Sequence, residues 1–165
     1  MYKDVQTFCE MSLCVETRNF PMPSLYAEIE INAPKSVVWD ALVRKENWLK
    51  WNTFLYDRNP DLPFVQGRTV QLSLRRLREE TETEFEPRIL LLQPQVCLRW
   101  MTTAPGYRSE HMFELQDIGR NRTKYTHRET VSGVTTRLFL PFLRQDQQQG
   151  LRRMARELKH YVEGY

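Results

Sequence analysis

The segment FLPFLRQDQQQGLRRMARELKHYVE (residues 139–163) decides the fold. Charged side chains fill one face of this segment, and its apolar residues recur at intervals of three and four on the other. With Pro141 in a first turn, the segment predicts a helix of about 33 Å, as long as a small domain is wide. An apolar stripe of that length needs a sheet to lie on. The stripe consists of Leu151, Met154, Ala155, Leu158, Tyr161 and Val162.

The preceding part of the chain predicts that sheet. Residues 24–31 alternate apolar and polar side chains, which is typical of a half-buried strand. Two short helices should follow, one with Pro34 in its first turn and one that carries Trp48 and Trp51. The predicted fold is therefore α+β. Further strands are predicted at 54–58, 70–74, 82–92 (with Pro87 at a bulge or edge), 97–102, 109–116 and 122–131.

The two strands that flank Gly119 predict a specific hairpin register. Centring the hairpin on Gly119 pairs Glu110 with Arg128 and Glu114 with Lys124, so that opposite charges meet on one face. A slip of one residue would destroy this pattern, and the charged face should point to water. The other face should point to the long helix. Its predicted pairs are Ser109–Glu129, His111–His127, Phe113–Tyr125 and Leu115–Thr123.

Length and composition restrict the class of protein. A chain of 165 residues with 41% hydrophobic and 27% charged residues is typical of one soluble globular domain. Its net charge of +3 is too small to favour nucleic acid as a partner. No apolar run reaches the roughly 20 residues of a membrane span. We therefore expect no nucleic-acid partner and no stable membrane insertion, and we leave the oligomeric state open.

Cysteine and glycine usage bears on location and cofactors. The three cysteines, Cys9, Cys14 and Cys97, lack metal-ligand spacing with histidine and indicate reduced thiols in a cytoplasmic protein. Six glycines are too few to favour a dinucleotide-binding fingerprint. We predict no cofactor and no metal.

Residues 1–23 have no clear hydrophobic period and are assigned to an N-terminal arm. Residues 24–165 are assigned to the domain.

Six stretches of the chain have a familiar pattern: INAPKSVVWDAL (31–42), WLKWN (48–52), LRW (98–100), HMFEL (111–115), TKYTHRETVSG (123–133) and GLRRMARELK (150–159). Together they resemble the START / polyketide cyclase-dehydrase superfamily (SRPBCC), which includes birch-pollen-allergen-like helix-grip domains. The resemblance covers residues 24–163 and is specific for the fold rather than for an activity. It implies an antiparallel sheet of about six or seven strands, curved around the C-terminal helix, with an apolar cavity between them.

The function that the resemblance implies is binding of a small hydrophobic ligand, such as a lipid, a polyketide or an isoprenoid-like molecule, in that cavity. The aromatic candidates could instead be ordinary core residues. Gln147 or Gln148 should lie on the buried stripe, unless this part of the helix is in solvent. In a dry, filled core an unpaired amide at that position would be unfavourable. The candidate ligand contacts are Trp51, Trp100, His111, Phe113, Tyr125, His127, Phe139, Phe142 and Gln147.

Three polar residues leave an enzyme as the alternative function. His111, His127 and Glu129 share the concave face in the predicted register, and two imidazoles beside a carboxylate could transfer protons near neutral pH. The enzyme would be an aromatase/cyclase-like or dehydratase-like lyase or isomerase. The competing interpretation is a buried polar cluster whose members satisfy one another.

A third hypothesis is a protein-interaction module with a filled core. The arginines at 75–78 and the glutamates at 79–86 are expected to pair across a solvated outer face. The outer face of the long helix is expected to carry a second set of basic side chains in solvent. The alternative interpretation of this set is transient contact with an anionic membrane surface. That set is Arg152, Arg153, Arg156 and Lys159.

Overall fold

The computed structural model describes residues 24–164, apart from the side chains of residues 137–140 and 142. The predicted arm, with Cys9 and Cys14, lies outside the described residues, so the domain boundary stays a prediction. In chain order the elements are β1 (Ser24–Ile31), α1 (Lys35–Val43), a 3₁₀ helix (Lys45–Lys50), β2 (Leu55–Asp57), β3 (Leu72–Leu74), β4 (Thr83–Phe85), β5 (Arg88–Gln93), β6 (Cys97–Ala104), β7 (Tyr107–Gly119), β8 (Arg122–Ser132) and α2 (Val134–Glu163).

The strands form two antiparallel sheets. The larger has the order β1-β8-β7-β6-β5, and the smaller has the order β2-β3-β4. The first part of the stripe is buried in one core with the inward side chains of the strands, where Leu151, Met154 and Leu158 are fully buried, whereas Tyr161 near the end of α2 is exposed. The predicted α+β helix-grip fold is confirmed, including the two short helices after the first strand.

The long helix begins earlier than predicted. α2 begins at Val134, which places Pro141 inside the helix rather than in its first turn. The start is set by Gly133, whose φ of 115° favours glycine and where a Cβ would collide with the backbone of Gly106. Thr135 then donates from its N–H and its hydroxyl to the carbonyl of Gly106, at 3.1 and 2.7 Å. The β6–β7 turn therefore fixes the first turn of α2.

The predicted β7–β8 register is wrong by two residues. His111 lies opposite Glu129 and Phe113 opposite His127, because the turn is centred on Arg120 rather than on Gly119. Asn121, with a φ of 56°, makes the tight turn, and a bulge separates Asp117 from Gly119. Since the error is an even number, every side chain keeps its predicted face.

The predicted ion pairs between β7 and β8 are consequently replaced by pairs to the neighbouring strands β6 and β1. Glu110 Oε1 lies 3.4 Å from Arg99 Nε on β6. Lys124 Nζ lies 2.8 Å from Glu28 Oε2 on β1.

The strand predicted at residues 82–92 is two strands. It breaks at Pro87, and β4 belongs to the smaller sheet while β5 belongs to the larger one. Proline has no N–H to donate to a ladder, and the carbonyl of Pro87 instead accepts from Val70 N at 3.1 Å. The segment that the sequence predicts as one strand therefore crosses a sheet boundary.

The basic residues are only partly on the outer surface. Arg75 pairs with Glu82 at 2.9 Å, as predicted. Arg153, which we expected on the outer face of α2, instead turns inward. Its guanidinium donates to the carbonyls of Thr53, Arg75 and Arg76, at 3.1, 2.6 and 2.8 Å.

Large aromatic side chains fill the middle of the concave face. Trp100 packs against Phe113 with ring centroids 4.6 Å apart and against Phe64 at 5.7 Å. Phe113 stacks on His127 at 4.1 Å. The space that remains between sheet and helix therefore lies away from these rings, where the inward side chains are smaller.

Candidate functional site

A cavity of about 520 Å³ lies between the sheets and the first half of α2. Its wall takes side chains from β1, β3, β4, β6, β7 and β8, so both sheets contribute to it. Most of the wall is apolar, which suits a ligand that is poorly soluble in water. The apolar lining residues are Leu25, Leu74, Phe85, Ala104, Val131 and Leu143.

One wall of the cavity carries a buried polar group, which we call the Glu129 cluster: Ser109, His111, Glu129 and Gln147. The β7–β8 register places His111 opposite Glu129, and Ser109 lies two residues along the same face. Ser109 Oγ donates to Glu129 Oε1 at 2.8 Å, and Gln147 Nε2 donates from α2 to Glu129 Oε2 at 2.7 Å. His111 Nε2 lies 3.4 Å from Glu129 Oε1.

The imidazole of His111 joins this cluster to His127. His111 Nδ1 and His127 Nε2 are 3.0 Å apart and both rings are fully buried. Burial lowers the pKa of His111 against the opposing effect of Glu129. Burial and the neighbouring His111 hold the pKa of His127 well below its usual value. Both rings are therefore neutral near pH 7.

The carboxylate decides where the protons lie on these neutral rings. A lone pair at His111 Nε2 would face Glu129 Oε1 unfavourably, so the proton belongs on Nε2. His111 Nδ1 then accepts from His127 Nε2–H. This leaves His127 Nδ1 as an acceptor, and it has no hydrogen-bond partner within the described part of the chain.

Of the predicted site residues whose side chains are described, some line the cavity and others do not. His111, Glu129 and Gln147 line the cavity, and the structure brings them within contact of one another. Trp51 does not line it, and stacks on Tyr161 with centroids 6.0 Å apart at the other end of α2. The side chains of Phe139 and Phe142 lie outside the described residues. The remaining candidates, which are buried without lining the cavity, are Trp100, Phe113, Tyr125 and His127.

Sequence reasoning missed the residues that shape the cavity. Thr102 and Ala104 follow Trp100 at intervals of two, and Tyr107 and Ser109 precede His111 in the same way. Strand alternation alone could have placed them on the concave face. Aromatic residues were favoured instead, but large side chains fill space, whereas a cavity opens where small ones face each other.

The described residues carry no further chemical signature. Among them, no group of three or more histidine, cysteine, aspartate or glutamate side chains is placed to hold a metal ion. Within residues 24–164, no helix has both the length and the apolar character that a membrane crossing requires.

Comparisons with known proteins give the chain its relatives. The model of the family described as "Activator of Hsp90 ATPase homolog 1-like protein" matches residues 32–163. No curated protein matches the chain.

Solved structures share its fold at low identity. A protein from Arthrobacter aurescens is 13% identical with a TM-score of 0.68, and the match covers 87% of this chain and 88% of that one. A START superfamily protein from Mycobacterium smegmatis is 14% identical with a TM-score of 0.64, over 86% and 97% of the two chains. A point mutant of norcoclaurine synthase from Thalictrum flavum, in complex with a transition-state analogue, is 11% identical with a TM-score of 0.64, over 86% and 94%.

Proposed function

We propose that this chain, which belongs to the activator of Hsp90 ATPase homolog 1-like protein family, binds a small hydrophobic molecule in the cavity between the sheets and α2. The START-like fold of that family commonly binds hydrophobic ligands. The ligand would be a lipid, a polyketide or an isoprenoid-like compound. Its apolar body would contact side chains such as Leu74, Phe85 and Leu143.

The cavity itself is the observation that supports this proposal. Its volume of about 520 Å³ falls within the roughly 300–1,000 Å³ of pockets that hold small molecules. An apolar wall with one polar cluster is also the usual composition of such pockets. A protein-interaction module would need no such space, and the filled core expected for it differs from what residues 24–164 contain.

An enzyme of the cyclase or dehydratase type is the second candidate. One observation favours it: His111 lies beside Glu129 in the cavity wall, so an imidazole and a carboxylate could both reach a bound molecule. His127 lies behind His111 and does not line the cavity, so it would act only through that ring. His111→Gln would lower turnover by about 100-fold or more in an enzyme, but would leave the affinity of a binding protein nearly unchanged.

Two neighbouring positions on β6 provide the test of binding. Ala104 and Thr103 are both exposed, but only Ala104 lines the cavity. Ala104→Trp should fill part of the cavity and weaken binding of the neutral fluorescent probe N-phenylnaphthylamine by about 10-fold or more, since a filled site excludes the ligand. Thr103→Trp adds the same bulk outside and should bind like the parent protein. Equal binding by both variants would contradict the proposal.

The other expectations on partners and location stay predictions. These are the absence of a nucleic-acid partner, transient contact with an anionic membrane while a ligand is exchanged, and a cytoplasmic location.

A further inference from the structure

We infer that the ligand carries a hydrogen-bond donor, a hydroxyl or an ammonium group, which is received by Glu129, and that the cavity rejects anionic ligands such as fatty acids. This inference rests on the proposed function and specifies the chemical class of its ligand. It follows from the acceptor capacity of the Glu129 cluster, from the charges around it and from a neighbouring unpaired hydroxyl.

The carboxylate of Glu129 has acceptor capacity left. An ionised carboxylate offers about four lone-pair positions. Ser109 and Gln147 each donate to one of its oxygens, and His111 Nε2 approaches Oε1 at 3.4 Å. Oε2 therefore receives only Gln147 among the described side chains, and Glu129 itself lines the cavity. A donor on a bound molecule could occupy the remaining position.

The charge of Glu129 is not balanced by a cation in the described residues. The Glu129 side chain is only 2% exposed. Among the described residues, the one basic side chain within 4 Å of it is His111, whose imidazole is neutral because burial lowers its pKa. Arg76 also lines the cavity, but Glu80 holds its guanidinium, with Nε 3.0 Å from Oε1. A buried carboxylate without a countercharge is costly, so a donor or cationic ligand group would be stabilised there.

An anionic ligand faces the opposite situation in either orientation. With its carboxylate beside Glu129, two like charges would meet away from water. With the orientation reversed, its apolar chain would cover the Glu129 cluster and remove water from polar groups without replacing the lost hydrogen bonds. Neither pose is favourable.

Thr102 supplies a second polar contact beside the cluster. Thr102 lines the cavity wall, and its buried Oγ1 has no hydrogen-bond partner in the described part of the chain. Thr102 lies opposite Ser109 in the β6–β7 register, so it flanks the group that donates to Glu129. A ligand hydroxyl could donate to Glu129 and accept from Thr102, whereas an ammonium group could only donate.

Four probes of equal chain length test the inference by displacing N-phenylnaphthylamine: decanol, decylamine, methyl decyl ether and decanoate. We expect decanol and decylamine to bind about 10-fold or more tightly than the ether and decanoate, since a hydrogen bond to a charged group has that effect. Decanol and decylamine report on the hydroxyl and the ammonium separately.

Variants connect this selectivity to Glu129. Glu129→Gln keeps the size of the side chain but removes the charge, so decylamine should lose its advantage and decanoate should bind more tightly than to the parent. Gln147→Ala leaves the carboxylate and frees a further acceptor position on Oε2, so the preference for donors should increase, which tests the inference even if Glu129→Gln does not fold. Gln148→Ala is the matched control, because Gln148 bonds the backbone of Tyr26 rather than the cluster.

The outcomes separate this inference from the proposed function. If the ether and decanoate bind as tightly as decanol, or if Glu129→Gln keeps the parent's selectivity, the inference is wrong while the binding function stands. If neither the fluorescent probe nor any of the four compounds binds, the proposed function fails and the inference fails with it.

Discussion

At the scale of single residues, the buried histidine pair defines how the interior responds to pH. His111 and His127 are held neutral because charging either ring inside the core removes it from water, and a charge on one ring would repel a charge on the other. Neutral rings let His127 Nε2–H donate to His111 Nδ1, and they leave the N–H at His111 Nε2 3.4 Å from Glu129 Oε1.

This pair predicts a loss of stability in mild acid. Unfolding raises both histidine pKa values toward about 6.5, so below that pH the unfolded state binds more protons and the folded state is disfavoured. The free energy of unfolding should fall by up to about 1.4 kcal/mol per pH unit for each histidine as the pH decreases from about 6.5. His127→Gln should reduce that slope. Urea unfolding between about pH 7.5 and about pH 5.5 measures it.

The third histidine provides the control for this experiment. His160 lies near the end of α2 and is exposed, so His160→Gln is the matched substitution outside the buried pair, with which the slope of His127→Gln is compared. An unchanged slope in His127→Gln would show that the buried pair does not control the response to acid.

Residues of the site were predictable only in part. Alternation along β7 and β8 places His111 and Glu129 on the concave face, and this did not depend on the register. The role of Thr102 and Ala104 could not be predicted in the same way, because small side chains carry no chemical signal of their own. They matter through the space that they leave, and that space depends on how the sheets and α2 approach each other.

At the scale of elements, the contact between α2 and the segment after the 3₁₀ helix is unusually close. Gly150 packs directly on the ring of Phe54, which is fully buried. A Cβ at position 150 would overlap the ring carbons Cδ2 and Cε2, and a buried ring has little room to move. The helix therefore depends on glycine here, although glycine is a poor helix former.

Gly150→Ala should consequently destabilise the protein, against the helix propensity of alanine. We expect a loss of about 1–3 kcal/mol from overpacking, where an exposed helix position would gain about 1 kcal/mol. Chemical denaturation of the variant measures the change. Gln149→Ala, at the neighbouring exposed position, is the matched control and should change stability little. A more stable Gly150→Ala variant would show that α2 and Phe54 are not tightly packed.

The elements that the sequence predicted incorrectly have different causes: one is a backbone contact distant in the chain, and the other is a local turn. α2 begins where Gly133 meets Gly106, which no helix propensity reports. The β7–β8 register follows from the turn at Arg120 and Asn121, whereas the opposite charges on β7 and β8 suggested another pairing. The hydrophobic periodicity of α2 and of β1 was sufficient to predict that one is a helix and the other a strand, because this periodicity depends only on neighbouring residues.

At the scale of the whole molecule, the interior is divided between a filled part and an open part. Aromatic rings around Trp100 and Phe113 fill the centre, and the cavity opens beside the first half of α2. The filled part supplies the hydrophobic stabilisation of the fold. The open part is thereby available for a ligand, with the Glu129 cluster as its polar wall.

Native mass spectrometry of the gently purified protein tests the cavity's role most directly, with a second spectrum after incubation with decanol. The account predicts one small apolar molecule per chain, released on denaturation, or one bound decanol if the protein is isolated empty. The Ala104→Trp variant should carry neither, and Thr103→Trp should behave like the parent protein. A parent protein that is isolated empty and takes up no decanol, or an Ala104→Trp variant that still carries one molecule per chain, would contradict the account.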